Sequence, residues 1–349
     1  MRTCRTLYQL GLSCLLRDIS LFSNEAISSF SLLLEAQSDP QHCCHYIRRL
    51  VFVVDSIVSE DAATLARILE GAKALQSLRI TAPISLDKEE RILAALGSLP
   101  ALQQLSFGMP VQLTTLLFLV EKFRGKLQTM DCPHIRNEGA GKDELVDAIS
   151  LCNPVLSSLH ELSIRITIPA ISPHTPVFIA LQKLHLYGIR GGIRLDSLIH
   201  YFPNLRELST EKFREAEDRV WSIEMGLYVS FCRRCRDVNK PTEVPWRHLQ
   251  QLRAPLYFVH ALGLTTRLAK LKLLVLIYAM DIETFAEVIE DTSPTNITFG
   301  YSVGSPTCLI ALCEALVRTG KDIQCLSIIL HHDEMEWASV TDILVRSVV

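Results

Sequence analysis

The chain has 349 residues, a net charge of −3, 48% apolar residues and 21% charged ones. That is a globular composition, and so small a net charge excludes an overall field drawing the chain to nucleic acid or an anionic membrane, so neither is expected as a partner. No apolar run reaches the roughly 18 residues of a membrane span. Eleven cysteines without framework spacing fit reduced core thiols and a cytoplasmic or nuclear setting.

In chain order, Met1–Leu16 is basic and then leucine-rich. Gln9 and Ser13 interrupt its apolar stretch, and Arg17-Asp18 follow without a small-residue cleavage site, which argues against a secretory signal. From Ile47 onward a short pattern recurs: apolar, two residues, apolar, one residue, apolar. It reads clearly as Leu75-Gln-Ser-Leu78-Arg-Ile80, Leu102-Gln-Gln-Leu105-Ser-Phe107, Leu159-His-Glu-Leu162-Ser-Ile164, Leu181-Gln-Lys-Leu184-His-Leu186 and Leu205-Arg-Glu-Leu208. Looser copies start at Ile47, Leu127, Leu249, Leu271, Pro294 and Ile323.

Helical patterns lie between the copies. Ser59 caps a predicted helix with Ala62, Leu65, Ala66 and Leu69 on one face. Asp87 and Glu90 form a predicted capping box before Ile92, Leu93 and Leu96. Ser305-Pro306 opens a third helix, ahead of Leu309, Leu312 and Leu316. The gap from Leu127 to Leu159 holds a loop signal, Asn137-Glu-Gly-Ala-Gly-Lys142. The gap from Leu205 to Leu249 holds an insertion at about 211–246, the most polar stretch of the chain. Its middle, Val220–Phe231, is predicted helical, and Pro241 and Pro245 close it. The tail, Val340–Val349, has a helix-like pattern.

The copies recur on average about every 28 residues, near the 20–29 residue period of leucine-rich repeats. The last two apolar positions of each copy point to one side of a strand and the residue between them to the other. Strand and helix units of this length bury their apolar faces only by stacking. The predicted fold is therefore an α/β leucine-rich-repeat solenoid, a curved parallel sheet with helices on its convex side.

Function is expected on the concave face. Outward strand positions are Ser77 and Arg79, Gln104 and Ser106, Glu161 and Ser163, Lys183 and His185, and Gln251 and Arg253. Arg79, Lys183, His185, Tyr187 and Arg253 are the candidate partner contacts among them and beside them. The copy starting at Leu271 also turns Leu273, Val275 and Ile277 outward. Those three are either covered by the 211–246 insertion or anchor a partner.

No catalytic set emerges: there is no glycine-rich phosphate loop, no Gly-x-Ser-x-Gly and no His-Glu-x-x-His. His331-His332 with Asp333 and Glu334 is expected as a surface loop. His42-Cys-Cys-His45 places zinc-type ligands side by side, where they do not close one tetrahedron. Cys232-Arg-Arg-Cys235, with His248 beyond it, lacks a fourth ligand or a thioredoxin-type setting. No metal, no cofactor and no enzymatic activity are expected. Arg233, Arg234, Arg236 and Lys240, with Arg214 and Arg219, are offset by Glu211, Glu215, Glu217 and Asp218. They form either a solvated helix face or a docking patch for an acidic partner.

The first residues resemble a known family. Cys4-Arg5, Leu7, the stretch Leu10–Leu16 and Arg17 match the closing helices of an F-box. Tyr46-Ile-Arg-Arg-Leu50 and Phe202-Pro-Asn-Leu-Arg-Glu-Leu208 resemble F-box proteins with degenerate leucine-rich repeats, many of them fungal. Only the closing half of the F-box has a counterpart here. The resemblance implies a remnant at 1–21 and a repeat domain at 22–349. It implies a substrate-recognition subunit of a cullin-RING ubiquitin ligase of the SCF type, with a Skp-type adaptor, the cullin core and a protein substrate as partners. Leu7, Leu10, Leu12, Leu15 and Leu16 would then contact the adaptor. The alternative is a leucine-rich-repeat scaffold with no ligase role.

Overall fold

The computed structural model describes residues 4–37, 40–53, 59–81, 90–123, 125–133, 135–136, 157–164, 177–187, 194–210, 223–240, 246–302 and 306–331. The protein is α/β and divides into two compact units. The first is Met1–Ile166 with Phe178–Leu181; the second is Thr167–Val177 with Gln182–Val349.

In the first unit, helix α1 (Arg5–Leu15) leads into β1 (Asp18–Leu21). Then follow α2 (Asn24–Glu35), α3 (Pro40–Cys44), β2 (Arg49–Phe52), α4 (Ser59–Gly71), β3 (Ser77–Ile80), α5 (Glu90–Gly97) and β4 (Gln104–Phe107). Short β5 (Val111–Gln112), α6 (Leu113–Lys122), β6 (Thr129–Cys132), short β7 (Ile135–Arg136) and β8 (Glu161–Ile164) complete it. The sheet order is β1-β2-β3-β4-β6-β8, every pairing is parallel, and β5 pairs separately with β7.

The second unit holds β9 (Lys183–Leu186), α7 (Leu195–Tyr201), β10 (Glu207–Thr210), α8 (Ile223–Asn239), β11 (Gln251–Ala254) and α9 (Leu256–Leu262). It continues with β12 (Lys270–Ile277), α10 (Ile282–Thr292), β13 (Asn296–Ser302), α11 (Pro306–Thr319) and β14 (Cys325–His331). These six strands are parallel and lie in sequence order.

Sequence order has a consequence for layering. A parallel crossover is right-handed, so strands added always on the same side carry their helices on the same face. The apolar pairs fit that geometry. Leu50 and Phe52, Leu78 and Ile80, Leu105 and Phe107, and Leu162 and Ile164 are buried in the first unit. Leu184 and Leu186, Leu252 and Ala254, and Ile297 and Phe299 are buried in the second. The alternate residues face solvent.

The first apolar position of each copy sits just before its strand and is buried as well, as at Ile47, Leu75, Leu102, Leu127, Leu159, Leu205 and Leu249. The residue after it forms a backbone ladder between copies. The amide of Gln76 donates to the carbonyl of Arg48, Gln103 to Gln76, Gln128 to Gln103, and His160 to Gln128, each at 2.8 Å. In the second unit Arg206 donates to Gln182 at 2.8 Å and Gln250 to Arg206 at 2.9 Å.

This ladder corrects three expectations. First, Arg48 donates to the carbonyl of Arg17, and Ile19 and Leu21 pair with Leu50 and Phe52. Leu16-Arg-Asp-Ile19-Ser-Leu21 is therefore a copy of the pattern, and a boundary at residue 21 falls at the end of a strand of the sheet. Second, Asn296 donates to Ala269, and Leu252 and Ala254 pair with Leu271 and Leu273. The ninth copy starts at Leu268, three residues before Leu271. An odd shift turns every side chain of a strand to the opposite face, so Lys270 and Lys272 face outward. Third, the insertion helix α8 spans Ile223–Asn239, which is later than the expected Val220–Phe231.

The predicted helix faces are buried where described: Ala62, Leu65, Ala66 and Leu69 on α4, Ile92, Leu93 and Leu96 on α5, and Leu309 and Leu312 on α11. Asp87, Ser305, the 137–142 loop signal and the 340–349 tail lie outside the described residues. His331 ends β14 instead of opening a loop.

Candidate functional site

The outward strand residues make two rows in each unit. In the first unit one row is Asp18, Arg49, Ser77, Gln104, Thr129 and Glu161. The other is Ser20, Val51, Arg79, Ser106, Asp131 and Ser163. Cross-strand contacts tie these rows together. Arg49 stands 3.8 Å from Asp18, and the Ser106 hydroxyl donates to Asp131 Oδ2 at 2.9 Å. Asp131 Oδ1 is buried without a hydrogen-bond partner among the described residues. Arg79 is exposed.

In the second unit one row is Lys183, Glu207, Gln251, Lys270, Asn296 and Cys325, and the other is His185, Ser209, Arg253, Lys272, Thr298 and Ser327. Lys183 lies 3.5 Å from Glu207. His185 Nδ1 hydrogen-bonds the Ser209 hydroxyl, and its ring meets Tyr187 edge-on with centroids 4.3 Å apart. Arg253 and Lys270 are exposed, and Lys272 and Tyr187 are half-buried. The expected contacts Lys183, His185, Tyr187 and Arg253 thus belong to one unit and one strand face.

Leu273 and Ile277 do not belong to that face. Leu273 is 3% exposed and Ile277 is fully buried opposite the buried Tyr301. The corrected register accounts for this: they are core positions of β12 and need no cover from the insertion. The side chain of Val275 lies outside the described residues. The signal that would have revealed Lys270 and Lys272 was present, since Leu268-Ala-Lys-Leu271-Lys-Leu273 fits the pattern better than the stretch starting at Leu271.

Helix α1 carries the candidate adaptor contacts. Leu7, Leu10 and Leu15 are exposed, and Leu12 is half-buried. Leu16 is 2% exposed, because it is the first apolar position of the β1 copy, and it is withdrawn as a surface contact.

The insertion helix is anchored rather than displayed. Arg236 of α8 reaches Asp291 at 2.8 Å and Glu287 at 3.2 Å on α10. His260 of α9, with Nε2 3.0 Å from Glu287, completes the cluster. Burial holds the His260 imidazole below its ordinary pKa and outweighs the hydrogen bond from Glu287 that works the other way. Burial lifts the Asp291 carboxyl above its ordinary value against the attraction of Arg236. Asn239 Oδ1 accepts from the amide of Leu195 at 3.0 Å, and its Nδ2 donates to the carbonyl of Ala261 at 2.8 Å. Cys232 and Cys235 are buried free thiols, while Arg233, Arg234 and Lys240 are exposed. The expected basic cluster is thereby split, with Arg236 taken into the interior.

The His42–His45 run is also used structurally. Cys43 and Cys44 are buried, Tyr46 Oη meets His42 Nε2 at 2.8 Å, and His45 Nδ1 meets the carbonyl of Gly71 at 3.1 Å. Burial pushes the Cys44 thiol up to about 11. A cavity of about 480 Å³ lies beside it. Of its charged lining groups, Arg67 is engaged by Ser31 and Glu35, and Glu70 by Arg91. Among the described residues, no three His, Cys, Asp or Glu side chains gather to hold a metal ion, and no helix is long and apolar enough to cross a membrane.

No family model and no curated protein matches the chain. Among solved structures, it is similar to a chain in the crystal structure of the Rad7 and Elc1 complex in yeast. The TM-score is 0.38 at 10% identity, over 93% of this chain and 79% of that one.

Proposed function

We propose that this protein is a non-catalytic leucine-rich-repeat solenoid that binds another protein through the strand face opposite its helices, as the substrate-recognition subunit of an SCF-type ubiquitin ligase. The observation that carries the binding reading is the alternation along the strands. One set of side chains is buried at nearly every copy. The other set is polar, solvent-facing and aligned in rows across parallel strands. A rigid, regularly spaced array of this kind suits recognition of an extended surface.

The ligase role rests on the resemblance of Cys4–Arg17 to the closing half of an F-box. The exposure of Leu7, Leu10 and Leu15 on α1 favours it, since three leucines facing solvent on one short helix are suited to an apolar partner. Without an adaptor, the alternative is a binding scaffold outside any ligase.

The test is co-purification from cells with the Skp-type adaptor and cullin as readout, using the chain and a Leu7→Ser/Leu10→Ser variant. Capture by the parent and loss by the variant is the expected result. Capture by neither, with both folded, removes the ligase role and leaves the scaffold.

A further inference from the structure

We propose that Arg253, Lys270 and Lys272 form the docking point for an acidic segment of a partner protein; this rests on the protein-binding reading above and narrows it to one chemistry. Arg253 on β11 pairs with Lys272 on β12, and Gln251 with Lys270. Neighbouring strands lie about 4.8 Å apart, and alternate residues of one strand about 6.6 Å apart. Three cationic side chains therefore rise from one small triangle of the same face.

Like charges placed opposite each other across strands oppose folding. The strand faces avoid this elsewhere: Asp18 is set against Arg49 in the first unit, and Lys183 against Glu207 in the second. At Arg253, Lys270 and Lys272 no carboxylate lies within ion-pair distance among the described residues. The face holds a local excess of positive charge that it neutralises at other pairs.

The surroundings favour a peptide. Ser209 flanks Arg253 on one side, and Thr298 and Asn296 flank Lys272 and Lys270 on the other. These short polar groups can meet peptide amides and carbonyls between acidic side chains. A nucleic-acid site neutralising six to ten phosphates needs a longer basic track. Here the next strand, β14, offers Cys325 and Ser327 in the same rows. Complementary charge at such a point fixes register and speeds encounter.

Fluorescence anisotropy on the full chain tests this. The probes are a labelled peptide carrying eight glutamates, the same peptide with glutamines, and a labelled single-stranded oligonucleotide of equal charge. The proteins are wild type and R253A/K272A, with folding checked by circular dichroism. The expected result is binding of the glutamate peptide at 50 mM salt, at least tenfold weaker in the variant and weakened by added salt, with no binding of the glutamine peptide. Equal glutamate-peptide affinity in both folded proteins, or no binding by wild type, overturns the proposal. So does oligonucleotide binding that is tighter than peptide binding and lost in the variant.

A photo-crosslinker at Gln104 of the first unit or at Thr298, used in cells, separates this failure from that of the parent reading. Crosslinked partners recovered equally with R253A/K272A sink the acidic docking point and leave the binding role standing. No crosslinked partner from either position removes the binding role, and the docking point with it.

Discussion

The guanidinium of Arg236 stands 2.8 Å from the carboxylate of Asp291 with only 7% of its side chain exposed, joining the insertion helix α8 to α10. Removing one partner of a buried ion pair leaves the other charge uncompensated and costs about 3 kcal/mol. Arg236→Met is therefore expected to lower the urea midpoint by that amount. A midpoint unchanged from wild type would show that α8 is held by its apolar contacts alone.

The same cluster sets a pH dependence. His260 is neutral in the folded protein because burial, helped by Arg236, lowers its pKa below the ordinary 6.5, against the pull of Glu287 and Asp291. As pH falls below about 6.5 the unfolded chain takes up a proton that the folded chain refuses, so stability falls. Asp291, raised by burial, acts with the opposite sign, near and above its ordinary 3.8. Glu287 is lowered: burial raises it, but the His260 hydrogen bond and Arg236 together prevail, so its contribution is lost only as pH falls below 4.5. Urea midpoints between pH 7.5 and 5.5 should decline in wild type and flatten in His260→Gln. An equal slope in both would assign the decline to other groups.

Leu273 and Lys272 are sequence neighbours on opposite faces of β12. Leu273→Ala should cost about 2–5 kcal/mol, as for other core leucines. Lys272→Ala should stay within about 0.5 kcal/mol of wild type or stabilise slightly, because it relieves the opposing Arg253. Similar losses at both positions would restore the register that starts at Leu271.

Asn239 satisfies two backbone groups at once, the amide of Leu195 and the carbonyl of Ala261. Asn239→Ala leaves both buried and unmet, for a loss of about 2–4 kcal/mol at roughly 1–3 kcal/mol per group. Hydrogen exchange at Leu195 should accelerate in the variant; unchanged protection there would mean that another acceptor replaces Asn239.

The thiols should separate by reactivity. Cys14 and Cys325 are exposed, whereas Cys44 is buried with its thiol pushed up to about 11. Because the thiolate is the reacting form, iodoacetamide at pH 8 is expected to modify Cys14 and Cys325 first and to spare Cys44 until the protein unfolds. Early labelling of Cys44 on peptide mass mapping would contradict its burial.

Most of the fold was legible because one short pattern carries it. Ten of the eleven starts read from the sequence precede a strand by two residues, because burial of leucine at fixed spacing is a strong constraint. The failures share a cause. Around Leu268–Ile277 almost every residue is apolar or lysine, so the period alone does not choose between two starts three residues apart; the backbone ladder does. Leu16 was hidden because a leucine-rich helix runs straight into it. The Arg236 cluster was illegible because its partners Glu287 and Asp291 lie some fifty residues further on, and no local period links them. The outward positions Arg79, Lys183, His185 and Arg253 followed from the pattern alone.

The backbone ladder also has a mechanical meaning. Each rung hangs the peptide group before one strand from the carbonyl before the previous one, from Arg17 through Arg48, Gln76, Gln103 and Gln128 to His160. Under tension applied at the ends of such a unit, the rungs share the load in series. The terminal copy, held from one side only, peels first, and its loss exposes the next. A copy of about 25 residues releases roughly 85 Å of extended chain. The unit would lengthen in steps of that size, acting as an extensible tether that gives way by degrees.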